Sequence, residues 1–228
     1  MKTKAVRTSS FGLALACVLL ITGCATESQR VIETPQPTMA QSSYSGPKST
    51  IALGQFGNSS PFMRGIFTDG QNRLGNQAQT ILKTHLSQTN RFFVLDRSNN
   101  AQLAAESKLS GKASAIEGAS LILTGDVTEF GRKATGDKQL FGLLGRGKKQ
   151  IAYSKVSLNV VDVQTSRIIF SAQGAGEYEL SNREILGTGG TASYDATLNG
   201  KVLDLSIRQA VANLVAGLEA GQWQAASQ

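Results

Sequence analysis

Between Ile151 and Ala172 the chain carries two apolar, β-branched runs separated by a turn signal at Thr165-Ser166. Such runs are strands, and a break this short makes the second return beside the first. Upstream, Ile51 to Phe56 reads as a short buried strand closed by Gly57-Asn58, Phe92 to Leu95 as a second, and Ala119 to Phe130 as a third. Helical spacing joins Leu74, Ala78, Ile81, Leu82, His85 and Leu86, and again Leu203, Ile207, Ala210, Leu214 and Leu218, with Gly221 near the stop and Trp223 beyond. Ser98 or Asn99 caps a further helix running to Leu109, with Leu103, Ala104 and Leu109 expected inward. The order β-α-β-α-β-β-β-α predicts an α/β fold, a mixed sheet flanked by helices.

The N-terminus sets the compartment. Lys2, Lys4 and Arg7 precede an apolar run from Phe11 to Ile21, too short to span a bilayer but suited to a secretory signal. It ends in Ile21-Thr22-Gly23-Cys24, which resembles the bacterial lipobox and implies cleavage before Cys24 and lipidation of its thiol. An ordinary signal peptide with an incidental cysteine is the other reading. Ala25 after the cysteine favours, by the same resemblance, the outer membrane, with the domain on its periplasmic face. The expected organisation is a signal over 1–23, a lipidated flexible tether over 24–50 and one domain over 51–223. Three of the four prolines fall in the tether.

Little in the chain suggests chemistry. Cys17 leaves with the signal and Cys24 carries lipid, so no thiol remains for a nucleophile, a disulfide or a metal. The single histidine, His85, sits in a helical stripe and reads as a core residue. Gly142, Gly145 and Gly147 lack the strand-to-helix setting of a phosphate loop. No enzyme is expected, and no cofactor or metal apart from the covalent lipid.

Two insertions are more informative. Phe130 to Gln150 holds Arg132, Lys133, Lys138, Arg146, Lys148 and Lys149 against Asp137, around an apolar centre of Leu140, Phe141, Leu143 and Leu144. The whole chain carries a formal +7, and the signal takes three of those charges. The positive balance therefore belongs to this loop, which points to a membrane or envelope surface and gives no support to nucleic acid. From about 174 to 200, Tyr178 and Leu180, then Tyr194 and Leu198, alternate with polar residues on either side of a glycine-rich turn. Both insertions read as hairpins that contact a membrane. A solvated loop and a soluble amphipathic hairpin are the competing readings.

Several segments resemble, in order, the CsgG family of curli-secretion and holdfast-anchoring outer-membrane lipoproteins: IALGQFGN, AQTILKTHLSQTNRFFVLDR, GASLILTGDVTEF and QIAYSKVSLNVVDVQTSRIIFSA. The resemblance implies a homo-oligomeric ring whose subunits give hairpins to a shared barrel, passing secreted polypeptide or anchoring a surface polymer. It also implies a constriction loop between the first strand and first helix, where Phe62, Phe67 and Asn72 are the candidates. The alternative is a non-channel lipoprotein adaptor that binds envelope proteins, accessory to polysaccharide export or cell-wall synthesis.

Overall fold

The computed structural model describes residues 44–62, 72–113, 115–138, 146–184 and 197–224, with the backbone alone at 134–138, 146–150, 180–184 and 197–198. Its elements follow the predicted order: β1 (Ser49–Asn58), α1 (Arg73–Gln88), β2 (Phe92–Leu95), α2 (Asn100–Leu109), β3 (Leu121–Lys138), β4 (Arg146–Asp162), β5 (Ile168–Glu184) and α3 (Thr197–Glu219). The strands form one mixed sheet in the order β2-β1-β3-β4-β5. β1 runs parallel to both β2 and β3, and β3, β4 and β5 are antiparallel in turn.

The core lies on one face of this sheet. Leu121, Leu123 and Val127 of β3 and Val156, Leu158 and Val160 of β4 are fully buried under α1 and α3. Alternation along the strands sends every second side chain to this face, and the stripes Leu74-Ala78-Leu82-Leu86 and Leu203-Ile207-Ala210-Leu214 meet it. Gly221, at φ +68°, ends α3 and turns the chain back. Trp223 then stacks between Phe92 and Phe170, with centroids at 6.2 and 5.9 Å, while its indole N–H donates to the Leu214 carbonyl at 3.2 Å.

Glycine lets α3 sit directly on β5. A side chain at Gly174 would collide with the backbone of Ser206 and Ala210, and one at Gly176 with Leu205 and the backbone of Ser206. The alternating small residues of β5, read from sequence as a hairpin's outer face, are thus a seat for a helix. Beneath it the Ser154 and Ser206 hydroxyls pair at 3.0 Å, satisfying two buried polar groups.

Three expectations change. α2 buries none of its residues, and Leu103 and Leu109 are 54% and 81% exposed rather than inward. The reason is topological. The chain moves one way along the sheet from β1 to β2 and the other way from β2 to β3, so right-handed crossovers put α1 and α2 on opposite faces. Secondly, β3 and β4 stay paired out to Lys138 and Arg146, and β5 pairs with β4 out to Glu184, so 130–138, 146–150 and 174–184 make one three-stranded arm. The predicted return strand through Leu198 is not found at its end, since the chain is helical from Thr197. Thirdly, β1 begins at Ser49, and Tyr44 and Lys48, assigned above to the tether, lie against Arg91 and Phe93. Residues 1–43, with the signal, Cys24 and most of the tether, lie outside the described residues.

Asp96 organises the turn into α2. Its carboxylate accepts from the Ser98 hydroxyl and amide, from Asn99 Nδ2 at 3.1 Å and from Lys83 Nζ at 3.0 Å. The Ser98 hydroxyl, then Lys83, then the Ser98 amide lower its pKa from 3.8 to about 2. A depressed carboxylate stabilises the fold above its unfolded pKa, and that contribution is lost as pH falls toward the folded value. Asp96→Asn should therefore flatten the loss of stability between pH 4 and 2, while costing less than about 1 kcal/mol at pH 7 because the pair is part-exposed. Urea unfolding across that pH range reads both. In the same assay Gly174→Val should cost about 3 kcal/mol or prevent folding, and the exposed Ala175→Val should stay within about 0.5 kcal/mol.

Candidate functional site

Of the candidate residues, Phe62 lies at the base of the three-stranded arm. The loop after β1 is pinned there at its start. Ser59 and Ser60 both donate backbone N–H groups to the Val127 carbonyl at 3.1 Å. The Asn58 carboxamide accepts from the Ser60 hydroxyl at 2.6 Å and donates to the Phe62 carbonyl at 3.3 Å. Phe62 packs on Phe130 at 4.6 Å between ring centroids, where β3 leaves the core. The far end of the loop is held by Asn72, whose Oδ1 caps α1 by accepting from the Gly75 amide at 3.0 Å and whose Nδ2 donates to the Phe56 carbonyl at 2.6 Å. Two of the three constriction candidates are thus joined to the sheet and the helix start. Phe67 lies outside the described residues.

Of the residues proposed to contact a membrane, Tyr178 is half-buried against the core with Lys201 Nζ 5.2 Å from its ring centroid. It belongs to the same alternating set as Gly174 and Gly176 and so faces α3. Leu180 lies on β5 opposite Gln150, and Leu198 is in the first turn of α3. Leu140, Phe141, Leu143, Leu144 and Tyr194 lie outside the described residues. The register does fix that the first four belong to the seven-residue connection between the paired ends Lys138 and Arg146.

On the other face of the arm base Tyr153 lies across Gly131, where an added side chain would meet the tyrosine ring. Lys133 Nζ stands 5.5 Å from that ring, and Lys155 pairs with Glu129 at 3.6 Å. Arg132 donates from Nε to Asn199 Oδ1 at 2.8 Å, tying the arm to the start of α3.

Sequence reasoning missed the polar ties that hold α3. His85, 3% exposed, directs Nε2 to Asp204 Oδ1 at 2.7 Å, while its Nδ1 has no hydrogen-bond partner among the described residues. Arg91, equally buried, donates from Nε and Nη2 to Glu219 Oε1 at 3.0 and 2.7 Å. The position of His85 in an apolar stripe was a signal of burial, but the partners lie more than a hundred residues away and left no local mark. Among the described residues no three His, Cys, Asp or Glu side chains gather as a metal site, and no helix is long and apolar enough to cross a membrane.

Residues 36–228 match the model of the family described as curli production assembly/transport component CsgG. The chain belongs to the CsgG family. That description is of an assembly and transport component, not of an enzyme. A candidate lipoprotein of Neisseria meningitidis serogroup B (NMB1126/NMB1164) is 58% identical over 220 residues, covering 96% of this chain and 99% of that one. Among solved structures, a PelC dodecamer from Paraburkholderia phytofirmans is 13% identical over 80% of this chain and 94% of its own, with a TM-score of 0.35. The lipoprotein GNA1162 from N. meningitidis is 15% identical over 74% of this chain and 99% of its own, also at 0.35.

If Asn72 acts as a cap, Asn72→Ala should lower stability by about 1–2 kcal/mol, and Asn72→Asp, which keeps the accepting oxygen, should recover most of it. Thermal or urea unfolding of the two variants checks this. Equal losses in both would place the effect in the bond to Phe56 instead.

Proposed function

We propose that this CsgG-family domain is a lipid-anchored component of the periplasmic face of the outer membrane, tethered through Cys24 and acting as a non-channel adaptor for envelope proteins. The lipobox-like sequence and the candidate-lipoprotein relative support the anchor. The family's description as an assembly and transport component supports a role beside other envelope proteins.

One observation carries the choice of adaptor over channel. A strand that lines a membrane barrel keeps one alternating set of residues apolar for the lipid, and a Lys or Arg in that set costs about 2–4 kcal/mol near the bilayer midplane. In the arm both sets carry charge. Along β3, Arg132 and Lys138 fall in one set and Lys133 and Asp137 in the other; along β4, Arg146 and Lys148 oppose Lys149; along β5, Glu177, Glu179 and Arg183 oppose Glu184. Neither set is left for hydrocarbon. The arm's length alone does suit a bilayer, since the eight residues from Gly131 to Lys138 stay paired beyond Phe130 and span about 26 Å. The charge pattern outweighs the length.

The test uses full-length lipidated protein. It should float with vesicles, lose that association in Cys24→Ser, and give no conductance steps in planar bilayers, whatever oligomeric state mass photometry reports. Discrete conductance steps from a ring would overturn the adaptor reading in favour of a channel, and flotation unchanged in Cys24→Ser would overturn the anchor.

A further inference from the structure

The outer edge of β5 and helix α3 enclose an open groove of about 510 Å³. Ala175, Gly176 and Glu177 line it from the strand, and Leu205, Arg208, Gln209 and Ala212 from the helix. Leu205 lies three and four residues from Arg208 and Gln209, and these lie four and three from Ala212, so the helical residues form a single stripe along the groove. Among the described residues β5 has a neighbour on one side only, and this is its other side.

The phase of the open edge can be read from Asn213. Its Nδ2 donates to the Gln173 carbonyl at 2.7 Å, so Gln173 turns its main-chain groups away from β4. In an antiparallel strand alternate residues share that direction, which gives Ala175 and Glu177 outward N–H and C=O groups beside the groove. Among the described residues Asn213 covers this edge at one end. An open strand edge with alternating donors and acceptors is a template for another strand.

The side chains add a pattern. Gly174, Gly176 and Tyr178 face α3, so Glu177 falls on the opposite side of the sheet. A strand added to this edge would present one set of side chains to Leu205, Arg208 and Ala212, and the other to Glu177. Arg208 is half-buried beside the groove, and among the described residues no carboxylate stands within ion-pair distance of it. A cation held in this way beside free main-chain groups is complementary to an acidic residue on an incoming chain.

We propose that this groove takes an extended segment of another envelope protein, which adds to β5 as a strand and sets a carboxylate against Arg208 and apolar side chains against Leu205 and Ala212. Residues facing the other way would be basic or neutral, because they meet Glu177. Recognition by strand addition draws affinity from the main chain and specificity from alternate side chains. This inference rests on the adaptor reading and names its docking site.

The probe is a fluorescein-labelled peptide, Thr-Val-Lys-Glu-Lys-Val-Thr, titrated by anisotropy against the full mature chain in detergent. Saturable binding is expected, at least tenfold weaker in Arg208→Glu and recovered in that variant by a probe carrying Lys in place of its Glu. N-methylation of alternate probe amides should abolish binding, and hydrogen exchange should slow at Ala175 and Glu177. Circular dichroism and unfolding midpoints establish that Arg208→Glu is folded, and Ala212→Arg, which fills the groove from the helix, is a second variant expected to block the probe. Absence of saturable binding, or affinity unchanged in both variants, would overturn the proposal. A tenfold gain on deleting residues 25–43 would overturn it in favour of a segment of this chain as the occupant. Conductance steps would defeat the adaptor reading without altering this titration, whereas silent bilayers with no peptide binding would defeat the groove alone.

Discussion

The backbone contact between α3 and β5 is the constraint on which the other features depend. With Gly174 and Gly176 beneath it, α3 approaches the strand until Ser206 and Ala210 lie against the strand's own main chain. Burial of Val202, Leu203, Ile207, Val211 and Leu214 follows from that approach, and these residues form much of the core. The seat also brings Asp204 to His85 and Glu219 to Arg91, and turns the chain at Gly221 so that Trp223 reaches Phe92 and Phe170. These ties join the C-terminal segment to α1, to the start of β2 and to β5. A shift of α3 by the width of one methyl group would strain all of them together, since packed interiors have little free volume.

That dependence shows what could be read from the sequence and what could not. Periodicity reports which residues of one element share a face. It gave the element order, the stripes of α1 and α3, and the strands that return on one another. It does not report what covers a face. The alternation around 174 and 176 suits a membrane hairpin and a soluble one alike, because it looks the same whether the cover is lipid, water or a helix packed at backbone distance. The informative signal was the pair Ser206 and Ala210, one helical turn apart on α3, matching two small residues one strand repeat apart on β5. Leu103 and Leu109 were placed inward for a related reason: α2 was assumed to bury its leucines, although crossover handedness sends it to the face that α1 and α3 do not cover. Asn72 shows a third limit. An amide in a loop is equally suited to lining a passage or capping a helix, and only the bonds to Gly75 and Phe56 distinguish them.

One-sided coverage of the sheet separates two regions of different character. The face under α1 and α3 is apolar and closed. The arm extends beyond this cover with charges in both alternating sets, and the outer edge of β5 has no strand neighbour among the described residues. Such a surface loses solvation in hydrocarbon without recovering it, because lipid supplies neither counter-charges nor hydrogen bonds. A protein segment supplies both. On the proposed adaptor role, the same features would suit the arm to docking polypeptide in water.

The concentration of positive charge in one insertion fits the same division. Six cations and one anion surround the connection that holds Leu140, Phe141, Leu143 and Leu144, while the rest of the mature chain is close to neutral. Cations flanking a short apolar tip favour an anionic surface, and the attraction falls off within about a Debye length, roughly 8 Å at physiological salt. In the proposed adaptor, contact of this connection with the membrane would leave the core away from the surface. The glycines that seat α3 fix the direction in which β5 leaves the core, and with it that of β3 and β4, to which it stays paired along the arm. The packing of one helix on one strand thus aims the charged end of the arm and also opens the edge along which a partner can pair.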